Sequence, residues 1–293
     1  MAYVGRFAPS PTGALHFGSL VAAIASWLDA RAAGGTWRLR MEDLDRQRER
    51  PGAAAAILRQ LEAAGLECDG PVNYQSTRAA FYDRALEQLQ RAGLTYACGC
   101  TRREMADSAL AIDGSRVYPG TCRNGLAPGR PARALRLRTP EQPIRFTDRL
   151  QGVIVQSVAR EVGDFVLRRA DGAHAYQLAV VVDDAEQGIT DVVRGADLLD
   201  STPRQILLQR LLGLPTPRYL HVPVAVDAAG DKLAKQDGAA TAGADALSRA
   251  LTFLGHEPPG ELPVRELLAW AREHWDVARI PRQRMRMVSD EDA

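Results

Sequence analysis

The sequence predicts an α/β protein, and three observations lead there. Strand-like apolar runs and segments with helical spacing share most of the chain. The first nineteen residues read as a strand, a rigid turn and the N-terminus of a helix. Charged residues stand at the ends of predicted strands, which is where α/β sheets bind ligands. Two additions are expected: a cysteine-bearing segment from about residue 96 to 128, and a helical tail from about residue 244.

Tyr3, Val4 and Phe7 favour a strand, Pro9, Pro11 and Gly13 break it, and Leu20, Val21, Ile24, Trp27 and Leu28 recur at helical spacing. Such a strand–turn–helix makes a natural phosphate pocket, because unpaired amide N–H groups and the helix dipole point at the ligand. Arg6, Ser10 and His16 lie in it; the plainer alternative is a stiff βα turn. Residues 36–41 alternate as a strand that ends in Glu42-Asp43-Leu44-Asp45, where Asp43 and Asp45 fit a solvated acidic turn. Pro51 is expected to open a helix with Ile57, Leu58 and Leu61 on one face, and a second helix runs from about residue 77 to 92.

Strand character returns from Ala132, through residues 134–138, 144–148 and 163–169. The chain then runs from His174 and Tyr176 into apolar Ala179-Val180-Val181-Val182, with Asp183-Asp184 read as a strand-end turn. Residues 192–195 form a short strand that delivers Arg194 to a glycine corner, and Thr202-Pro203 opens a helix with Ile206, Leu207 and Leu211 inward. Residues 219–224 form another strand, on which His221 reads as a satisfied, partly buried histidine. Short helices follow, the last around residues 264–275, and the arginine-rich stretch 279–286 reads either as a nucleic-acid contact or as a frayed terminus.

Composition sets bounds. The 293 residues allow one large or two modest domains, with 46% hydrophobic and 25% charged residues, as in ordinary globular chains. A net charge of +1 means that nucleic-acid contact requires a local patch. There is no basic stretch followed by an apolar leader, and no apolar run nears the ~18 residues of a membrane helix, so a cytoplasmic protein without membrane contact is expected.

Cys98, Cys100 and Cys122 crowd one segment, which suits a zinc knuckle better than a disulfide framework; Cys68 reads as an ordinary thiol. Structural zinc takes four ligands, and no histidine lies nearby. The fourth is Tyr118 or Asp113, or no metal binds. Of 37 basic residues only two are lysines, Lys232 and Lys235, three apart in one loop. A chain that otherwise uses arginine has kept the compact point charge twice, which points to function.

The sequence has neither Gly-x-Gly-x-x-Gly nor a P-loop. The remaining phosphate-handling groups are the opening turn with His16 and the paired lysines. Together they suit a transfer in which positioning and charge stabilisation at an α-phosphate do most of the work.

These stretches resemble class I aminoacyl-tRNA synthetases of the glutamyl type. Residues 6–19 are similar to the HIGH region, with His16-Phe17-Gly18-Ser19 in its place. Residues 40–45, 163–169 and 181–205 also resemble glutamyl-tRNA synthetases, and 232–236 resembles the KMSKS loop. The resemblance covers about residues 3–240 in order. Full glutamyl-tRNA synthetases continue into a long helical anticodon-binding domain, for which this sequence has no room. That pattern is similar to the truncated glutamyl-Q tRNA(Asp) synthetases.

The resemblance implies a Rossmann-like parallel sheet with an inserted zinc-binding subdomain and a short C-terminal helical domain. Residues 1–94 and 131–240 would be the halves of the catalytic domain, 95–130 the zinc-binding insertion, and 241–293 the helical tail. It implies ATP-dependent, tRNA-independent activation of L-glutamate, then transfer to the cyclopentene diol of queuosine at the wobble position of tRNA(Asp). No covalent enzyme intermediate is implied, and a monomer is expected.

Carried over, Arg6, Phe7, Ala8, Pro9 and Ser10 contact glutamate, and Glu42 accepts its ammonium. Tyr176 and Arg194 hold a carboxylate, for which an arginine fork is suited. His16, Gly18, Lys232 and Lys235 bind ATP with Mg²⁺, His16 and Lys235 being the catalytic pair. One structural zinc sits on Cys98, Cys100, Tyr118 and Cys122. Lys232-Leu233-Ala234-Lys235-Gln236 keeps both KMSKS lysines but neither serine, so slower loop closure is expected. The rival readings are a truncated glutamyl-tRNA synthetase that charges the 3′ terminus, and an inactive zinc-containing tRNA-binding module.

Overall fold

The computed structural model describes residues 2–101, 103–106, 108–111, 114, 116–231 and 243–288. In chain order the strands and helices are β1 (Val4–Phe7), α1 (Phe17–Ala32), β2 (Thr36–Met41), α2 (Ala53–Ala63), β3 (Asn73–Tyr74), α3 (Ala79–Arg91) and β4 (Thr95–Cys98). Next come β5 (Ala134–Leu137), β6 (Ile144–Asp148), β7 (Gly152–Gln156), α4 (Val158–Glu161), β8 (Val166–Arg168), α5 (Tyr176–Glu186), β9 (Asp191–Gly195) and α6 (Thr202–Leu212). The last are β10 (Arg218–Val222), β11 (Val224–Val226), α7 (Ala244–Phe253), α8 (Val264–His274) and β12 (Met285–Met287).

The parallel core has two parts. β1, β2 and β3 pair in parallel in that order, and β9, β10 and β6 do likewise, with β7 added antiparallel at the edge. Thr190 joins the parts: its N–H donates to the Val4 carbonyl (2.9 Å) and its hydroxyl accepts the Val4 N–H (2.8 Å). Successive strand residues face opposite sides, so Val193 and Leu220 enter one core cluster while Val192 and Tyr219 enter another. The first cluster takes in α1, α2, α7 and α8, and the second α3, α5 and α6. Helices on both faces of a parallel sheet make the doubly wound architecture, whose ligand crevice lies at the carboxyl ends of the strands.

Four sequence expectations change here. Residues 176–186 are helix α5, not strand. Leu178 to Asp184 are all buried, so the apolar run reflects burial all round and carries no period to read. Asp183 and Asp184 are therefore interior ion-pairing groups and no strand-end turn. α2 begins at Ala53 after a left-handed Gly52 (φ 78°), leaving Pro51 in the preceding turn. The tail carries a strand: β12 pairs in parallel with β11, and α7 and α8 pack into the same cluster as α1. Among the described residues no helix is long and apolar enough to cross a membrane.

Candidate active site

The carboxyl ends of β1, β2 and β9, the start of β11 and the N-terminus of α1 enclose a cleft of about 1190 Å³. Arg6, Phe7, Ala8, Pro9, Ser10, His16, Gly18, Glu42, Tyr176 and Arg194 all line it. These are ten of the residues singled out in the sequence, drawn from positions 6 to 194. Lys232 and Lys235 lie outside the described residues.

Under the cleft lies a charge network. Arg40, fully buried on β2, contacts Asp184 (Nη1–Oδ1, 2.9 Å) and Glu42 (Nη2–Oε1, 3.4 Å), and it donates to Gln187 (2.9 Å). Asp184 also accepts from Arg6 Nε (3.3 Å). Asp183 accepts from Gln75 and from the Tyr82 hydroxyl (2.8 Å each), and pairs with Arg78. Three arginines thus face three carboxylates, and buried charge is tolerable only when paired in this way. Burial alone would raise the pKa of Asp184, but Arg6 and Arg40 outweigh it and hold the carboxyl below its usual range. Glu42 goes the other way: burial lifts it more than Arg40 and Arg6 lower it. Burial, with Glu42 beside it, also raises the Tyr176 phenol. The cleft floor therefore presents an arginine and a carboxylate side by side, a match for a ligand with groups of both signs.

Arg194 stands at the other wall, braced from three sides. Its Nε donates to His221 Nε2 (3.1 Å), and its Nη2 donates to Thr202 Oγ1 (2.9 Å) and Gln205 Oε1 (2.8 Å). Nη1 is buried and has no partner among the described residues. His221 Nδ1 lies 2.6 Å from Asp148 Oδ2. Burial and the nearby Arg194 cation, only partly offset by Asp148, push the His221 pKa down to about 4.

His16 is the N-cap of α1: its Nδ1 accepts the Ser19 N–H (3.3 Å), and Nε2 lies 2.9 Å from the Ser19 hydroxyl. Gly18 follows on the wall, where a Cβ would meet the His16 ring at 3.5 Å. The helix N-terminus with its polar cap faces the same space as Arg6 and Arg194, as anion binding at a helix start requires.

Away from this cleft, the Sγ atoms of Cys98, Cys100 and Cys122 lie within 4.8 Å of one another, with Cys100 and Cys122 3.6 Å apart. The Tyr118 oxygen is 3.5 Å from Cys98 Sγ and 3.6 Å from Cys100 Sγ. A tetrahedral ion with metal–sulfur bonds of about 2.3 Å needs sulfur–sulfur edges of about 3.8 Å, so the spacing suits one ion. Tyr118 also accepts the Cys122 N–H (2.8 Å), as an oxygen ligand can. Gly163 holds Tyr118 in place: its φ is +77°, and a Cβ there would come within 2.6 Å of the Tyr118 carbonyl oxygen. The Arg136 guanidinium sits 3.8 Å from the Tyr118 ring centroid, a cation–π contact beside the cysteine group. Burial raises the Cys98 thiol, but hydrogen bonds from Tyr118 and Arg136 prevail and bring it to about 7. The group is rooted on the antiparallel sheet β4–β5–β8. Asp113, the other ligand left open by the sequence, lies outside the described residues.

Sequence reasoning missed Arg40, Asp184, Asp148 and the structural use of His221. Asp183-Asp184 was the available signal: two adjacent acids after a fully apolar run need partners if that run is buried. Arg169, Arg48 and Arg50 also line the cleft and were not singled out.

The chain matches the family described as tRNA synthetases class I (E and Q), catalytic domain, over residues 3–250. It is 59% identical to the glutamyl-Q tRNA(Asp) synthetase of Aromatoleum aromaticum, over 96% of this chain and 91% of that protein. It is equally similar to the enzyme of that name from Thiobacillus denitrificans, at 59% over 96% and 95% of the two chains. Among solved structures, the glutamate tRNA ligase of Elizabethkingia meningosepticum, in complex with its amino acid, superposes with a TM-score of 0.79 at 25% identity. That alignment covers all of this chain and 68% of the other.

Proposed function

Because the chain belongs to the glutamyl-Q tRNA(Asp) synthetases, within the class I tRNA synthetases for glutamate and glutamine, we propose that it activates L-glutamate with ATP and esterifies it onto tRNA(Asp) that carries queuosine. The observation that carries the site assignment is the meeting of Arg6, Glu42 and Arg194 in one cleft beside the capped start of α1. Glutamate has two carboxylates and one ammonium. Two arginines and one carboxylate are its complement in charge, and bidentate arginine contacts suit the carboxylates. Tyr176, half-buried on the cleft wall, packs beside the amino acid, and Phe7, Ala8, Pro9 and Ser10 close over it.

In the first step a glutamate carboxylate oxygen attacks the α-phosphorus of ATP. An acyl–phosphate bond forms, the bridging bond breaks, and pyrophosphate leaves. His16, Gly18 and the start of α1 steady phosphate oxygens, and Lys232 and Lys235 neutralise the charge that develops in transfer. Mg²⁺ bound with ATP would supply further neutralisation of the phosphates. In the second step a hydroxyl of the queuosine diol attacks the acyl carbon. An ester forms, AMP departs, and the hydroxyl proton passes to solvent. The second carboxylate stays on its arginine throughout, so the substrate does not turn between steps.

Cys98, Cys100, Tyr118 and Cys122 would hold one structural zinc in the insertion 95–130, between catalytic halves 1–94 and 131–240, with residues 241–293 as the helical tail. The spacing of the three sulfurs and one oxygen supports this. A monomer working in the cytoplasm on tRNA accords with the reading.

Two measurements test it. Glutamate-dependent pyrophosphate–ATP exchange is expected without tRNA, and its absence would refute activation. Glutamate should be charged onto tRNA(Asp) with queuosine and not onto the same tRNA without it. Equal charging of both would replace this reading with esterification at the 3′ terminus.

A further inference from the structure

Three adjacent strands bring three side chains into one row at the carboxyl end of the sheet. Asp148 ends β6, His221 stands on β10, and Arg194 stands on β9, with His221 and Arg194 directly paired in register. Asp148 is itself fixed, because Oδ1 accepts the backbone N–H groups of Leu150 (3.0 Å), Gln151 (2.8 Å) and His221 (3.3 Å). Its other oxygen meets His221 Nδ1, and His221 Nε2 meets Arg194 Nε. Asp148 and His221 are both fully enclosed, so this row does not touch the ligand.

Only one protonation pattern satisfies the row. An arginine nitrogen can only donate, so His221 Nε2 must carry a lone pair. Nδ1 then carries the proton and donates to Asp148. A proton on Nε2 would set two donors face to face and a second cation against Arg194. The fall of the His221 pKa agrees, since the ring stays neutral throughout the working pH range. Thr202 fits as well: its hydroxyl accepts from Arg194 Nη2 and donates to the Leu198 carbonyl (3.2 Å), which leaves the Nε2 lone pair to Arg194 Nε.

We propose that His221 is a positioning residue for substrate recognition: as the neutral Nδ1–H tautomer, anchored by Asp148, it fixes the Arg194 fork so that Nη1 is left to hold a substrate carboxylate. The inference rests on the reading of Arg194 as a glutamate ligand. Preorganisation is what this row supplies, because Arg194 need not give up rotamer freedom when the substrate arrives. In metal sites and catalytic triads a second group likewise fixes a histidine's tautomer.

The test separates acceptor from donor. Glutamine at position 221 can offer an oxygen near the place of Nε2, whereas asparagine reaches only the place of Nδ1. In glutamate-dependent pyrophosphate–ATP exchange, His221→Asn is expected to raise the glutamate KM roughly tenfold or more, the scale of a lost hydrogen bond to a charged group. His221→Gln should stay within about threefold, and the ATP KM should hold in both. A role in packing alone would raise the ATP KM together with the glutamate KM, whereas loss of the Arg194 brace is confined to glutamate. A wild-type glutamate KM in the asparagine variant, or equal losses in both, overturns the proposal. Should either variant fail to fold, ¹⁵N-histidine NMR of the wild-type protein decides. Two buried rings, His221 and His256, are expected to stay in the neutral Nδ1–H form from pH 5.5 to 8, and one of them to shift on adding glutamate. Finding fewer than two non-titrating Nδ1–H rings among the five histidines, or none that shifts on adding glutamate, overturns it too. If wild-type protein shows no glutamate-dependent exchange while the NMR tautomer holds, the substrate assignment has failed and the row stands.

Discussion

Asp184→Asn probes the network on which the cleft rests. In the wild-type protein Arg6, Arg40 and Arg78 balance Asp183, Asp184 and Glu42, and the substitution leaves one uncompensated buried positive charge. Breaking a buried pair by removing one partner costs about 3–5 kcal/mol. Asparagine keeps one oxygen for Arg6 or Arg40, so the loss belongs near the lower end, about 3 kcal/mol. At about 2–4 °C per kcal/mol for a chain of this size, the melting temperature should fall by roughly 6–12 °C. Urea unfolding at pH 7.5, followed by tryptophan fluorescence, measures the difference. Glu87→Gln, which breaks an exposed helical pair with Arg91, is the control and should change little. The sign with pH is fixed too. Asp184 is held below its unfolded value, so its contribution is full above the unfolded pKa near 4 and vanishes as pH falls through the folded one. Wild type and variant should therefore converge in acid. Equal urea midpoints for Asp184→Asn and wild type at pH 7.5 would refute the balanced-charge account.

Three further outcomes are expected. Cys100→Ser should lose bound zinc by metal analysis of the purified protein; unchanged content would refute the cluster as its site. Lys235→Ala should lower the rate of pyrophosphate exchange and leave glutamate binding nearly intact by calorimetry, whereas a large loss of glutamate affinity would contradict its assignment to ATP. Because His221 binds its proton less readily folded, near 4 against about 6.5 unfolded, stability should fall as pH drops through that window, by up to about 3 kcal/mol. A urea midpoint that stays flat from pH 7 to 4.5 would refute the buried neutral ring.

The ligand-facing half of the site was legible because its residues sit at chain landmarks. Arg6 to Gly18 span the break between a strand and a helix, Glu42 follows a clean alternation, and Arg194 precedes a glycine corner. Those positions carry turn chemistry and period, which a sequence displays. The supporting half was not legible. Arg40 lies inside an alternating strand and looks like any surface arginine, since its burial depends on α5 passing over it. α5 itself was hidden by its own environment: valines at 180, 181 and 182 favour a strand locally, and packing on all sides removes the polar stripe that marks a helix. β7 escaped because Val153 and Val155 are exposed on an edge strand, where an apolar pattern says nothing about a core. β12 escaped because a short run among arginines shows no pattern until its partner β11 is known. The row of Asp148, His221 and Arg194 arises from strand order, which places residues 73 apart side by side.

The packing of α7 and α8 against α1 bears on how the chain is made. Leu247, Phe253 and Leu267 fill the same cluster as Leu20, Ile24 and Trp37, and Trp275 donates to Asp29. This βα unit leaves the ribosome before α7 and α8, so it lacks the far wall of its core until more than two hundred further residues have emerged. The nascent N-terminal segment must wait with its apolar helix face uncovered, and closing so long a loop slows the final step. The strand that starts the cleft is thus synthesised well before its core can close. The enzyme becomes able to bind its substrates only after α7 and α8 have emerged.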